Sequence, residues 1–252
     1  MELKTTLVSH IFNEEYLIPF WLNHHKTMFD QIIIIDYNST DKSIEICKNI
    51  CPDCKIIKTR NNCFDAHKVD QEVMDIENNI DGVKIVLNTT EFLFCEKPIK
   101  YLFSDNKIKG YNIKCLSPYS LNIYNVNNIN ELFKNLLNND IVYHYDRHIR
   151  FIHNFQNGNY DLGRHSSKNI SIPTDDMFIV WFGFYPMNND LLKRKLQIHQ
   201  NMPQHDKNAG NGIQHLWDRD KMLDVNYKKA KSGLPLKDIN SSLYKLLSMY
   251  KY

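Results

Sequence analysis

The segment Gln31-Ile32-Ile33-Ile34-Ile35-Asp36 sets four consecutive isoleucines between two polar residues. β-branched side chains favour extended backbone, and successive residues of a strand point to opposite faces. Such a run is therefore hidden from water only where both faces of the strand are covered, as in a parallel sheet flanked by helices. Two other apolar runs stop just as abruptly. Residues 5–12 end at Asn13-Glu14-Glu15, and residues 83–87 end at Asn88-Thr89-Thr90-Glu91. Open α/β sheets bind ligands in the crevice beyond the carboxyl ends of their strands, so the polar endings predict one shared pocket.

Helices are expected between the runs. Leu17, Phe20, Trp21, His24 and Met28 recur at helical spacing, with Pro19 in the first turn. Ser39-Thr40-Asp41 offers N-cap chemistry to a helix over 42–50, followed by a strand at 55–59. Val69, Val73, Ile76 and Ile80 mark a helix over 68–80, and Asp81-Gly82 turns the chain into the run at 83–87. This alternation predicts an α/β fold with a doubly wound, mostly parallel sheet. After Phe94 the pattern predicts one or two strands at 110–124, a helix at 129–137 and a strand at 144–155. A strand at 178–184, a helix at 188–200, a polar loop at 202–214 and a basic helical tail follow. A chain of 252 residues with no Gly/Ser-rich or Pro-rich linker predicts one domain over 1–252.

The 31 basic and 29 acidic residues are intermixed and leave a net charge of +2, which argues against a nucleic-acid partner. Glu2 and Lys4 precede only a short apolar run, so the expectation is a soluble, cytoplasmic chain with no signal peptide and no membrane span. Six cysteines in that setting predict free thiols rather than a disulfide framework. Cys47, Cys51 and Cys54 have the spacing of a radical S-adenosylmethionine iron–sulfur motif. A redox enzyme is therefore a distant alternative, with structural zinc or ordinary thiols as the blander readings.

Taken together, Asn13-Glu14-Glu15, Asp36-Tyr37-Asn38-Ser39-Thr40-Asp41 and Asn88-Thr89-Thr90-Glu91-Phe92 resemble the three strand-end motifs of family 2-like nucleotide-sugar glycosyltransferases. The resemblance implies the GT-A, Rossmann-like fold. It divides the chain into a nucleotide-binding half at 1–95, an acceptor half at 96–215 and a C-terminal tail at 216–252. It implies a hexosyltransferase-like enzyme moving a sugar from a nucleoside diphosphate sugar, by family habit a UDP-sugar, to an acceptor hydroxyl with inversion. The acceptor would be a glycan, glycolipid or protein.

The donor contacts so implied are His10, Asn13, Glu14, Asp36, Asn38, Asp65, Lys68, Asn88, Thr90 and Arg164. Asp36 would accept from base or ribose, although capping the next helix explains it equally well in isolation. The family's Asp-x-Asp binds Mn²⁺ or Mg²⁺ through carboxylates; here Asn88 and Thr90 stand in its place, leaving Glu91 and His165 as metal ligands. Alternatively Arg147, Arg150, Arg164 or Lys168 replaces the metal as a positive clamp on the leaving diphosphate. Asp161, Asp175, Asp176 and Asp206 are the candidates for the base. Loss of the Asp-x-Asp also admits a catalytically silent sugar-nucleotide-binding module.

Overall fold

The structure is a computed structural model that describes residues 3–105 and 107–249. Its first half alternates as expected: β1 (Thr5–Ile11), α1 (Ile18–His25), β2 (Gln31–Asp36), α2 (Ser43–Ile50), β3 (Lys55–Lys58), α3 (Ala66–Glu77) and β4 (Val83–Val86). These strands pair in parallel in the order β3-β2-β1-β4. Ile32 and Ile34 pack with Trp21 and Cys47 of α1 and α2 on one face of the sheet. Ile33 and Ile35 pack with Val69 and Val73 of α3 on the other. The isoleucine run is hidden because the helices divide between the two sides.

The second half holds β5 (Glu91–Cys95), α4 (Ile99–Leu102), β6 (Gly110–Tyr119), α5 (Ile129–Asn135), β7 (Val142–His153), β8 (Ile172–Pro173) and β9 (Met177–Trp181). It continues through α6 (Asn189–Asn201), α7 (Gln204–Ala209), α8 (Arg219–Ser232), β10 (Leu234–Pro235), α9 (Leu236–Ile239) and α10 (Ser241–Met249). β7 joins β4 antiparallel and extends the same sheet through β6, β9 and β5. The result is a mostly parallel α/β sheet flanked by helices.

Several expectations are corrected. Residues 91–95, where no separate strand is expected, form β5, which lies at the far end of the sheet and pairs with β9, its Phe92, Leu93 and Phe94 wholly buried. The expected loop at 202–214 contains α7 and a 3-10 turn at Ile213–His215. The tail is not merely a solvated helix, since β10 pairs with β7, and Leu243, Leu246 and Leu247 of α10 enter the core. Cys51 and Cys54 form a disulfide, while Cys47 is buried in the core. Two of the three thiolates an iron–sulfur cluster would need are thereby consumed, which removes that alternative. No helix among the described residues is long and apolar enough to cross a membrane.

Two irregularities prepare the site. Opposite Lys114 and Leu116 of β6, the register on β7 jumps from Ile149 to Tyr145, so Asp146, Arg147 and His148 bulge from the ladder. A bulge re-aims side chains, and here it turns Asp146 and His148 toward each other. At residues 162–165 a tight turn holds Gly163 at φ 75 and Arg164 at φ 57. Glycine adopts the left-handed region freely; Arg164 is held there by its contacts.

Candidate functional site

A cleft of about 480 Å³ opens at the carboxyl ends of β1 and β4. Phe12, Glu14, Asn88, Thr89 and Thr90 come from the strand ends, and Glu91 from the start of β5. His148 and Arg150 of β7, the turn 162–165 and Trp181 form the opposite wall. Arg194, Lys195, Asp206 and residues 210–215 roof it. The roof is tied down where Phe64 N–H donates to the carbonyl of Asn201 at 3.1 Å and Ala66 N–H donates to the Asp206 carboxylate at 2.9 Å.

The roof owes its place to α6. Asn188 caps this helix, accepting from Leu191 N–H at 3.0 Å, and a face of Leu191, Arg194, Lys195 and Ile198 then turns inward. Two cations thus occupy an i, i+3, i+4, i+7 stripe that packing normally reserves for apolar groups.

Three arginines in the cleft are paired with buried carboxylates. Arg150 grips Glu91 through two hydrogen bonds, Nε to Oε2 at 2.9 Å and Nη2 to Oε1 at 2.5 Å, with both side chains 3% exposed. Burial alone would raise the Glu91 carboxyl, but the charge and hydrogen bonds of Arg150, with the Asn88 amide, hold it below the usual range. Arg164 pairs with Asp70 of α3 and donates to Asn88 Oδ1 at 2.9 Å, leaving its Nε buried without a partner. Arg194 pairs with Glu14 and reaches Thr89 Oγ1 at 3.3 Å.

His10 and His165 are kept neutral. His10 lies well below its ordinary value through burial and then the charges of Arg164, Arg150 and Arg194. His165 falls to about 3 through burial and then Arg150, whose Nη1 donates to His165 Nδ1 at 2.9 Å. His148 differs: its Nδ1 lies 2.7 Å from Asp146 Oδ1, and its ring stacks on His165 with centroids 3.8 Å apart. Asp146 also accepts from Ser117 Oγ at 3.1 Å. Burial opposes its ionisation, yet the hydrogen bonds from His148 lower it to about 2. An ionised carboxylate on Nδ1 directs the other ring nitrogen outward, in the manner of an oriented general base.

Of the donor contacts expected from sequence, His10, Glu14, Asn88, Thr90 and Arg164 line the cleft. Asn13, Asp36 and Asn38 do not. Asn13 accepts from Thr40 N–H at 2.7 Å and so ties the loop after β1 to the loop after β2, while Asp36 accepts from Ser39 N–H at 2.9 Å within its own loop. For Asn38, at φ 61, the structure shows only an exposed turn residue. Asp65 caps α3 by accepting from Lys68 N–H at 3.0 Å, and the Lys68 side chain is exposed outside the cleft.

Glu91 and His165 do not form a metal site, because Arg150 is bonded to both of them. Asn88 donates to Glu91 and accepts from Arg164, so this position offers no free carboxylate to a hard cation. Among the described residues, the one group with metal-like spacing is Asp65, His205 and Asp206, with ligand atoms within 4.8 Å of one another. Both carboxylates there already accept backbone N–H bonds.

Of the candidate bases only Asp206 lines the cleft, and its oxygens are taken by Ala66 N–H and Asn211 Nδ2. Asp175 is exposed beside Lys114, Asp176 lies beside Lys97, and Asp161 accepts from Ser166 Oγ. Arg147 and Lys168 also lie outside the lining. Sequence reasoning missed Asp70, Asp146, His148, Arg194, Lys195 and His215. Only the Arg194-Lys195 pair on an otherwise apolar stripe carried a readable signal.

No family model matches the chain, and no curated protein does either. Among solved structures, S. aureus TarS 1–349 in complex with UDP is similar at 17% identity, over 50% of this chain and 38% of that one, with a TM-score of 0.37. Glucosyl-3-phosphoglycerate synthase from Mycobacterium tuberculosis, in complex with Mn²⁺, UDP and glucosyl-3-phosphoglycerate, is similar at 13% identity, over 46% and 44%, with a TM-score of 0.34. The chain therefore spans less than half the length of each.

Proposed function

We propose that the chain is a GT-A glycosyltransferase that carries a sugar from a nucleoside diphosphate sugar, a UDP-sugar in the first instance, to an acceptor hydroxyl with inversion. The observation that carries this reading is the cleft at the ends of β1 and β4, where arginines occupy the position at which the resembled family holds its metal. A volume of about 480 Å³ suits one small ligand. Phe12 and Phe64, in edge contact at one end, offer an apolar wall to the nucleobase. Arg164 and Lys195 face the diphosphate.

In this mechanism the acceptor oxygen attacks the anomeric carbon and the bond to the diphosphate oxygen breaks. The electron pair stays on the diphosphate, stabilised by fixed cations that need no reorganisation. The acceptor proton passes to Nε2 of His148, which Asp146 orients through Nδ1. Asn88 and Thr90 at the Asp-x-Asp position, with Glu91 bound by Arg150, do not fit a divalent ion.

Calorimetric titration with UDP in EDTA and in excess Mn²⁺ tests the reading. The expected result is the same affinity in both, within about twofold, since Lys and Arg rather than a metal would meet the phosphates. Binding seen only with Mn²⁺ would overturn the metal-free site, and no binding of any nucleoside diphosphate would overturn the transferase.

A further inference from the structure

Three of the four cations in the cleft are committed to carboxylates, Arg150 to Glu91, Arg164 to Asp70 and Arg194 to Glu14. Lys195 is committed to none. It is 2% exposed, and its ammonium lies 4.3 Å from the ring centroid of Phe184 and 5.8 Å from that of Trp181. No hydrogen bond or ion pair reaches it among the described residues. Aromatic faces compensate a buried ammonium only partly, and one lacking an acceptor gives up its proton readily.

The charged and titratable groups facing Lys195 give it no negative partner. Arg194 lies beside it on α6, and His215 approaches from the turn Ile213–His215. Burial first, and then the Arg194 charge, bring the Lys195 ammonium down to about 7. His215 falls to about 3 through burial and then Lys195 and Arg194, and its Nδ1 is buried without a partner. Arg164, 4% exposed, lines the same cleft, and its buried Nε is a second donor without a partner. Lys195 thus has no anionic partner among the described residues, and the Nε of Arg164 has no acceptor.

We propose that Lys195 and the Nε–H of Arg164 form the seat of the donor's diphosphate, and that filling this seat draws one proton from solvent onto Lys195. Nucleotide binding is then a proton-coupled step. The empty cleft avoids an uncompensated buried charge, and the ligand brings the negative charge that makes the ammonium stable. This deepens, and rests on, the reading of the cleft as a nucleotide-sugar site. Below about 7, its value in the empty cleft, Lys195 already carries its proton, so uptake accompanies binding only above that pH.

The test is calorimetry of the full chain with UDP, and separately with inorganic diphosphate, in EDTA. Each titration is run in HEPES and in Tris, whose ionisation enthalpies differ. Expected is uptake approaching one proton per ligand at about pH 8 and nearly none at about pH 6. Lys195→Met abolishes the uptake and weakens binding roughly tenfold or more, whereas Lys195→Arg binds with no uptake, since guanidinium stays charged. Identical heats in the two buffers at about pH 8, with UDP bound, would overturn the proton-coupled seat and leave the transferase reading standing. Diphosphate binding with uptake but no response to UDP would keep the seat and overturn the nucleotide. Binding of neither ligand would overturn both.

Discussion

Arg150→Met is expected to lower folding stability by about 3–5 kcal/mol near neutral pH, because it strands a buried carboxylate whose partner has gone. Glu91 is 3% exposed and would keep only its two hydrogen bonds from Asn88. Urea unfolding of both chains measures the difference. The sign with pH follows from the shift. In the wild-type chain the Glu91 carboxyl is depressed, so its contribution is present above the unfolded value and is lost as pH falls through the lower folded value. In the variant, burial acts without Arg150 and raises the folded value. Its deficit therefore grows as pH rises from the wild-type folded value, through the unfolded value of roughly 4.3, toward the variant's raised value, and disappears only below the wild-type folded value. A loss under about 1 kcal/mol at neutral pH would mean that the pair does not hold β5 to β7. Arg150 also donates to the Arg164 carbonyl at 3.0 Å, so the same substitution should loosen the turn that presents Arg164 to the cleft.

His148→Asn is expected to slow sugar transfer about 10²–10⁴-fold while UDP affinity changes less than about twofold. The reason is geometric: Asp146 and His148 stand on the β7 bulge and bond to each other rather than to Lys195 or Arg164, the cations assigned to the diphosphate. Asp146→Asn should produce a similar loss by removing the carboxylate that orients the ring. Donor turnover over a panel of nucleotide sugars, with and without saccharide acceptors, measures the rate, and calorimetry measures the binding. Transfer undiminished in His148→Asn would return the base to the aspartates, with Asp206, which lines the cleft, the first to replace. A loss of binding equal to the loss of rate would show that His148 holds the donor instead.

The local chemistry of the first half was legible because each element there is coded by neighbours in sequence. The isoleucine run, the helical spacing from Leu17 and the polar endings after β1 and β4 all correspond to elements of the sheet. Asp36 and Asn13 show where such reading stops. Their residue types suit a ribose or a base, but Asn13 is taken by the Thr40 amide of the neighbouring loop and Asp36 by the Ser39 amide of its own. A short polar side chain bonds the nearest amide, and sequence does not say which amide that will be. Lys195 shows the converse. Its place on the apolar stripe of α6 marks it as an inward-facing lysine, but only the folded chain brings Phe184 and Trp181 over it.

By itself, the sequence determined an α/β sheet covered on both faces and a pocket at its strand ends, because hydrophobic period and turn chemistry are local properties of the chain. The tertiary structure alone decided which charges meet. Glu91 is 59 residues from Arg150, Asp70 is 94 from Arg164 and Glu14 is 180 from Arg194. Coulombic pairing depends on distance in space and on burial, and neither is encoded at those separations until the sheet has closed.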